Sequence, residues 1–261
     1  MGAAAGPHGG GLGRRVAVVS PHLDDAVLSL GAAIARVARL GAAVSVVTVF
    51  AGDPSSTAPA DGWARRCGFA TVGEAYRVRR AEDEEALALL GARAEHLPLD
   101  VDATDTAIRD AIGSALGEAD TVLIPGAPCT QPEHARVAEL VVSRRPAGRL
   151  GLYVDQPYAM WRLLGTPPVA GGGRFANFVR LGLRLPSTAR LREPRLPPEL
   201  ASVGTIQWQT ISRSRREWRA KLRAIYRYRS QIRGFGRITV PGILLYEAAA
   251  GGETIGWVEP P

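Results

Sequence analysis

The chain has 261 residues, 46% of them hydrophobic, which is enough for one large buried core and too apolar for global disorder. Its 32 basic side chains exceed 25 acidic ones, for a formal charge of +7, and nearly all of the positive charge is arginine, with Lys221 the single lysine. That bias accompanies a high alanine content and reads as compositional, so no nucleic-acid partner is expected from it, and no run of 18 apolar residues is present to span a membrane.

Residues 1–13 read as a flexible Gly/Ala-rich tail without the charged start and long apolar core of a signal peptide. Residues 15–20 predict a buried strand and 26–40 a helix closing at Gly41. Residues 44–50, rich in β-branched side chains, predict a second strand. Strand, helix and strand in that order form a right-handed parallel βαβ unit. Residues 51–73 read as a long loop on the sheet edge that follows the first strand. Helix is expected over 74–90, ended by Gly91, then a short strand at 95–99 and a helix over 104–116 with Asp102 or Thr104 as its cap. A strand at 121–124, a loop at 125–134, a helix at 134–144 and a strand at 150–154 complete the regular part.

This alternation predicts an α/β fold: a Rossmann-like, doubly wound, mostly parallel sheet with helices on both faces, forming a single domain over 14–261. After Asp155 the regularity fails. Residues 160–204, rich in Pro, Gly and Arg, read as an irregular excursion or lid. Within it, 174–192 mixes arginine with large apolar groups; a packed excursion is favoured over a lid for a lipidic substrate or a peripheral contact with an anionic membrane. Residues 213–233 predict one long basic helix, in which Trp218, Ile225 and Ile232 recur at packing intervals, and 243–247 a late strand. Cys67 and Cys129 are too few for a disulfide framework, although one bridge stays open, and a cytoplasmic protein is the expectation. Oligomeric state is not legible.

The chemistry concentrates in Ser20-Pro-His22-Leu-Asp24-Asp25-Ala-Val27, where a strand should turn into a helix. That edge of an open α/β sheet is where ligands bind. His134 ends the loop after the 121–124 strand and, in a parallel sheet, opens on the same edge. His22, Asp25 and His134 then offer three ligands with a fourth position left for water, the pattern of a catalytic rather than a structural zinc site. Asp24, beside them, is placed as a general base. Spacing alone leaves alternatives: Asp24 and Asp25 as caps of the first helix, and His134 as an ordinary helix-start histidine. His8 and His96 read as unconnected with this chemistry, and Cys129 as a buried bystander.

Pro21-His22-Leu23-Asp24-Asp25-Ala-Val-Leu-Ser-Leu-Gly31 resembles the (A/P)-H-P-D-D-E/A-x-L-x-x-G signature of the PIG-L/LmbE-like zinc-dependent N-deacetylases. Trp63-Ala-Arg-Arg-Cys-Gly68-Phe69, then Arg79-Arg80-Ala-Glu82-Asp83 through Leu90-Gly91, is similar to that family's W-x3-G-F and R-R-x-E-D-x-x-A-x-x-L-G region. Tyr153-Val-Asp155-Gln-Pro157-Tyr158-Ala resembles a Y-E-D-x-P-Y-A strand end, and Lys221-Leu-Arg-Ala224 with Tyr228-Arg-Ser230-Gln231 resembles a K-x2-A…Y-x-S-Q helix. These matches run in order from about residue 15 to 232.

The resemblance implies hydrolysis of an N-acyl group, usually acetyl, from an amino sugar such as an N-acetylglucosaminyl group on a natural product or glycoside. His22, Asp25 and His134 would hold one zinc ion per chain, with Asp24 as base. The small-molecule partner would be an amino-sugar conjugate. Substrate contacts are placed at Arg79, Gln131, Asp155 and Tyr158; for Arg79 and Arg80 a solvated face paired with Glu82, Asp83 or Glu84 is the alternative. Trp63 reads either as a ring that stacks on substrate or as a loop anchor. Other readings are an amidase acting on a thiol conjugate and a non-catalytic binding protein of the same fold. Three residues depart from the family pattern: Leu23 for proline, Val154 for glutamate, and Gln131 for the first histidine of the H-P-D-H loop, here Gln131-Pro-Glu133-His134. Glutamine donates a hydrogen bond but is not an acid, so either Asp24 would have to serve as both base and acid or another residue must help.

Overall fold

A computed structural model describes residues 12–164, 194–211, 214–236 and 238–259. Among these, seven strands form one sheet: β1 (Arg15–Ser20), β2 (Ala43–Thr48), β3 (Arg93–His96), β4 (Thr121–Ala127), β5 (Arg149–Val154), β6 (Ile206–Ile211) and β7 (Glu253–Val258). Their order is β3-β2-β1-β4-β5-β7-β6. The five strands from β3 to β5 pair in parallel, and β7 runs antiparallel to both β5 and β6. The strand order reverses between β1 and β4, which opens a crevice at the carboxyl ends of those two strands.

Alternate residues of each central strand supply two separate cores. Val16, Val18, Val44, Val46 and Leu123 point to the face covered by α1 (Asp25–Arg39) and α3 (Val72–Leu90). Ala17, Val19, Val47, Val122 and Ile124 point to the face covered by α4 (Asp105–Leu116) and α5 (Pro132–Arg144). A strand buried on both faces needs apolar residues at every position, which is why β1 and β4 read as continuous apolar runs. The remaining helices are α2 (Gly62–Cys67), α6 (Tyr158–Leu164), α7 (Arg215–Ile225), α8 (Arg229–Phe235) and α9 (Thr239–Ala250). The expected mostly parallel sheet with helices on both faces is thus present. The tail through residue 11 and the excursion over 165–193, including 174–192, lie outside the described residues. Among the described residues no helix is long and apolar enough to cross a membrane.

Buried charge ties the C-terminal elements to α1. That helix is kinked at Leu30 (φ −130°, ψ 15°), which frees the N–H groups that follow. Ala32 and Ala33 donate them to the Glu253 carboxylate at 2.9 and 2.6 Å. Lys221 Nζ donates to Glu253 at 2.7 Å and to Glu247 at 2.5 Å, and all three charged side chains are buried. Gly31 sits in the kink, where a Cβ would lie 2.8 Å from Lys221 Cγ, so only glycine lets the lysine pass. The motif pieces around Glu82 and Tyr228 are likewise one contact. Glu82 accepts from the backbone N–H and the hydroxyl of Ser230 (2.9 and 2.6 Å), and Asp83 accepts from Tyr228 Oη (2.6 Å).

That contact explains one difference from the sequence expectation. The single helix over 213–233 is two helices, α7 and α8, separated at 226–228. Tyr228 is drawn inward onto Asp83, and Glu82 satisfies the first free N–H of α8, so a break there leaves little unpaired. The expected strand at 243–247 lies inside α9; its short apolar run carries no strand-versus-helix signal of its own, and the alanines after it continue the helix. Strands β6 and β7 were not foreseen. The expected loop over 51–73 contains α2, whose N-cap Asp61 accepts from Ala64 N–H at 2.6 Å. Strand β3 falls at Arg93–His96 rather than 95–99, and Thr104, not Asp102, caps α4. Cys67 and Cys129 are both free and buried, so the bridge left open by the sequence does not form.

Candidate metal centre

The turn after β1 is stitched by Ser20, whose Oγ donates to His22 O at 2.7 Å and accepts from Ala26 N–H at 3.1 Å. This brings His22, Asp24 and Asp25 to the start of α1. Asp25 does not cap the helix: its Oδ2 turns back and accepts from His22 N–H at 2.8 Å. Asp24 occupies the cap position, yet its carboxylate bonds no helix N–H, and its backbone holds φ at 120°. A non-glycine residue in that region carries strain and is typically held there by its surroundings at functional sites. The helix-cap alternative for this pair therefore has no bond to support it.

His134 enters on α5, at the end of β4, across the crevice. Its Nε2 lies 3.3 Å from Asp25 Oδ2 and 3.2 Å from His22 Nδ1, and His22 Nδ1 lies 3.3 Å from Asp25 Oδ2. Zinc–ligand bonds of about 2.0–2.1 Å at tetrahedral angles require ligand atoms about 3.3 Å apart. The near-equilateral triangle of two imidazole nitrogens and one carboxylate oxygen fits that requirement, and it is the metal-ligating cluster found among the described residues. His134 is fully buried, while the His22 side chain keeps 24% of its surface, leaving an approach from one side.

Behind the triangle, His134 Nδ1 lies 2.8 Å from Asp155 Oδ2, with both side chains wholly buried. A carboxylate there holds the Nδ1–H tautomer and aims the Nε2 lone pair at the ligand position. Asp155, placed from sequence among substrate contacts, thus stands behind a ligand and away from the cavity. Burial opposes the protonation of His134, but the charges of Asp155 and Asp25 outweigh it and leave the imidazole pushed up to about 9. Burial likewise works against the Asp25 carboxylate, and His134 and His22 more than offset it, holding its pKa below the usual range. Asp24 behaves oppositely: burial, reinforced by the neighbouring Asp25 charge, raises its pKa well above the ordinary carboxyl value despite Arg79. Its Oδ2 is buried with no hydrogen-bond partner among the described residues.

Arg79 Nη2 donates to Leu23 O at 3.2 Å and lies 4.0 Å from Asp24 Oδ1, so it braces the strained peptide that carries Asp24. Arg80 is turned away and donates to the carbonyls of Ala51 and Gly52, a loop anchor rather than a partner of Glu82 or Asp83. His96, read as unconnected, is bonded to Asp83 at 2.8 Å.

The triangle opens into a cavity of about 900 Å³ lined by His22, Asp24, Asp25, Arg79, Gln131 and Tyr158 among others. Among the lining residues that sequence reasoning missed are Trp161 on α6 and Phe235 on α8, since nothing in their spacing relates them to the octapeptide. Trp63 is anchored by its Nε1, which donates to Gln231 Oε1 at 2.9 Å, and it lines the cavity. Val154 and Leu23, two of the departures, are buried in the protein interior.

The fold and this site define an α/β protein with a His₂Asp cluster at metal-ligand spacing at the sheet's switch point. Residues 17–144 match the model of the PIG-L family, described as GlcNAc-PI de-N-acetylase. That match, over just under half of the chain, bears out the resemblance read from the sequence and supports an N-deacetylase-type hydrolase. No curated protein matches it. Among solved structures, the A40926 pseudoaglycone deacetylase superposes with a TM-score of 0.69 at 24% identity, covering 94% of this chain and 96% of the other. The teicoplanin deacetylase in complex with teicoplanin gives 0.66 at 22% identity, covering 93% and 97%. A structure described as the zinc-inhibited form of teicoplanin deacetylase gives 0.67 at 22%, with the same coverage. These likenesses concern the fold over almost the whole chain.

Proposed function

We propose that the chain is a zinc-dependent deacetylase that hydrolyses the N-acetyl group of an amino sugar carried on a larger natural product, acting in the cytoplasm. The observation that carries this reading is the 3.2–3.3 Å triangle of His22, Asp25 and His134 with the unpartnered Asp24 Oδ2 beside it on the floor of one large cavity. The family match and the shared fold of the glycopeptide-antibiotic deacetylases support the amino-sugar substrate, and two free thiols fit a reducing compartment.

His22, Asp25 and His134 would hold the ion, and Asp155 keeps His134 in its ligating tautomer. When bound there, zinc supplies Lewis acidity toward an amide carbonyl and acidifies water. Asp24 Oδ2, buried beside the three ligands and without another hydrogen-bond partner among the described residues, accepts the proton of the attacking water. The leaving amine must be protonated before it departs. Gln131, at the position where the family pattern has histidine, has no transferable proton, so Asp24 returns the proton it received. Gln131 and Tyr158 line the cavity and provide hydrogen-bonding groups toward the sugar and the developing oxyanion.

The test is reconstitution of purified protein with one equivalent of zinc, followed by acetate release from a panel of N-acetylglucosaminides and thiol conjugates. Because a related fold is described in a zinc-inhibited form, stoichiometric and excess zinc are compared. We expect one tightly held ion and sugar deacetylation, with Asp24→Asn keeping the ion and losing about 10²–10⁴-fold in kcat. Full turnover in Asp24→Asn would remove the base assignment, and cleavage confined to thiol conjugates would replace the sugar reading.

A further inference from the structure

The cavity is larger than one sugar needs. Its volume of about 900 Å³ lies near the top of the range of about 300–1,000 Å³ for pockets that bury drug-sized ligands. Its lining combines two chemistries. Arg79, Gln131 and Glu133 are polar lining residues beside the His22 imidazole and the Asp24 and Asp25 carboxylates. The rest includes a row of rings that begins at His134. Tyr158 meets His134 at 5.0 Å and 79°, Trp161 meets Tyr158 at 5.4 Å and 89°, Phe235 meets Trp161 at 5.8 Å and 61°, and Trp63 meets Phe235 at 5.1 Å and 49°.

The row is held from behind. Trp63 Nε1 donates to Gln231 Oε1, and Gln231 Nε2 donates to Ser230 Oγ at 3.0 Å, which in turn donates to Glu82. A Cβ on Gly234 would lie 2.8 Å from Cys67 Sγ and 2.9 Å from the Trp63 ring, so glycine lets α8 close against α2. Rings fixed in this way present a stiff apolar wall of alternating ring faces and edges whose ordering entropy is already met on folding. Among the described lining residues, Val101 is the only aliphatic hydrocarbon side chain. A flexible acyl chain is better served by an aliphatic channel; a flat ring system gains both area and ring geometry from a wall of aromatics.

We propose that Tyr158, Trp161, Phe235 and Trp63 form the subsite for a flat aromatic aglycone on the amino sugar, and that this wall sets a preference for aryl glycosides over simple ones. The proposal rests on the deacetylase reading above. The metal centre works on the N-acetyl group at one end of the cavity, while the wall carries the aglycone away from it.

The zinc-loaded enzyme is assayed with p-nitrophenyl and methyl N-acetylglucosaminide, and separately with methyl glucosaminide bearing N-acetyl or N-octanoyl. The aryl glycoside is expected to show a KM about tenfold below that of the methyl glycoside. Trp161→Ala and Phe235→Ala should raise the aryl KM about tenfold with kcat held within about twofold, and the methyl KM by less than about threefold. Phe235→Leu, which keeps apolar volume and removes the ring, should act in the same direction even if an alanine variant folds poorly. Equal KM values for the two glycosides, parallel shifts of both in the variants, or a preference that follows the octanoyl group would each overturn the proposal. If no glucosaminide is turned over, the deacetylase reading fails, but tryptophan fluorescence still reads the wall: p-nitrophenyl glycoside bound more tightly than methyl glycoside sustains the subsite, and equal binding removes it.

Discussion

Asp155 offers a direct test of the metal centre, because it should alter metal binding without touching metal or substrate. Its Oδ2 lies 2.8 Å from His134 Nδ1, and both side chains are wholly buried, so solvent does not dilute the interaction. Asp155→Asn keeps an acceptor for Nδ1–H and removes the charge; Asp155→Ala removes both. A hydrogen bond to a charged group contributes about 1.5–3 kcal/mol, which is about 10- to 150-fold in an equilibrium constant. Loss of such a partner behind a metal-bound histidine lowers affinity by about 10- to 100-fold, so the two scales agree. We expect zinc affinity to fall about tenfold in the asparagine variant and about a hundredfold in the alanine variant. Competition against a chromophoric chelator measures both, with melting curves to confirm that each variant is folded. Zinc affinities within twofold of the parent for both variants would refute the orienting role. A rise in KM at unchanged zinc affinity would instead return Asp155 to the substrate contacts expected from sequence.

Arg79→Met should leave zinc affinity within about twofold and lower kcat by about 10- to 100-fold, because the peptide carrying Asp24 loses its brace and small misplacements of a catalytic group are costly; a change confined to KM would make Arg79 a substrate contact only. Lys221→Met should destabilise the fold by about 3–5 kcal/mol in denaturant titration, since it strands two buried carboxylates, and a loss under 1 kcal/mol would contradict the buried triad. The same triad predicts a pH dependence. Burial pushes Glu247 up to about 8 from 4.5, against the pull of Lys221, so the folded protein keeps a proton that the unfolded chain has released. That contribution is complete below about pH 4.5 and is lost as pH rises toward 8, at up to about 1.4 kcal/mol per pH unit and a few kcal/mol in all. Melting curves between pH 5 and 8 should therefore show the parent losing stability relative to Glu247→Gln, and parallel curves would contradict the assignment.

The octapeptide at residues 20–27 announced its chemistry because a strand end, a histidine and two carboxylates are local facts. His134 could be joined to it because parallel topology sends alternate loops to one edge. The same reasoning reached the sheet, since β1, β2, β4 and β5 are short apolar runs separated by helical patterns. It failed where local signals were weak. The 243–247 run became helix within α9, β6 and β7 went unforeseen, and the helix over 213–233 broke at a tyrosine drawn to a distant aspartate.

The sequence alone determined where candidate chemical groups concentrate, in which order, and on which edge of a doubly wound sheet they stand, because side-chain type and periodicity are written along the chain. Only the tertiary structure decided how they meet. It set His22, Asp25 and His134 at ligand spacing and put Asp155 behind a ligand instead of in the cavity. It also assembled Trp63, Tyr158, Trp161 and Phe235 into one wall. Those groups come from segments tens of residues apart, and the distances between segments follow from how helices pack on a sheet, which no local stretch of chain encodes.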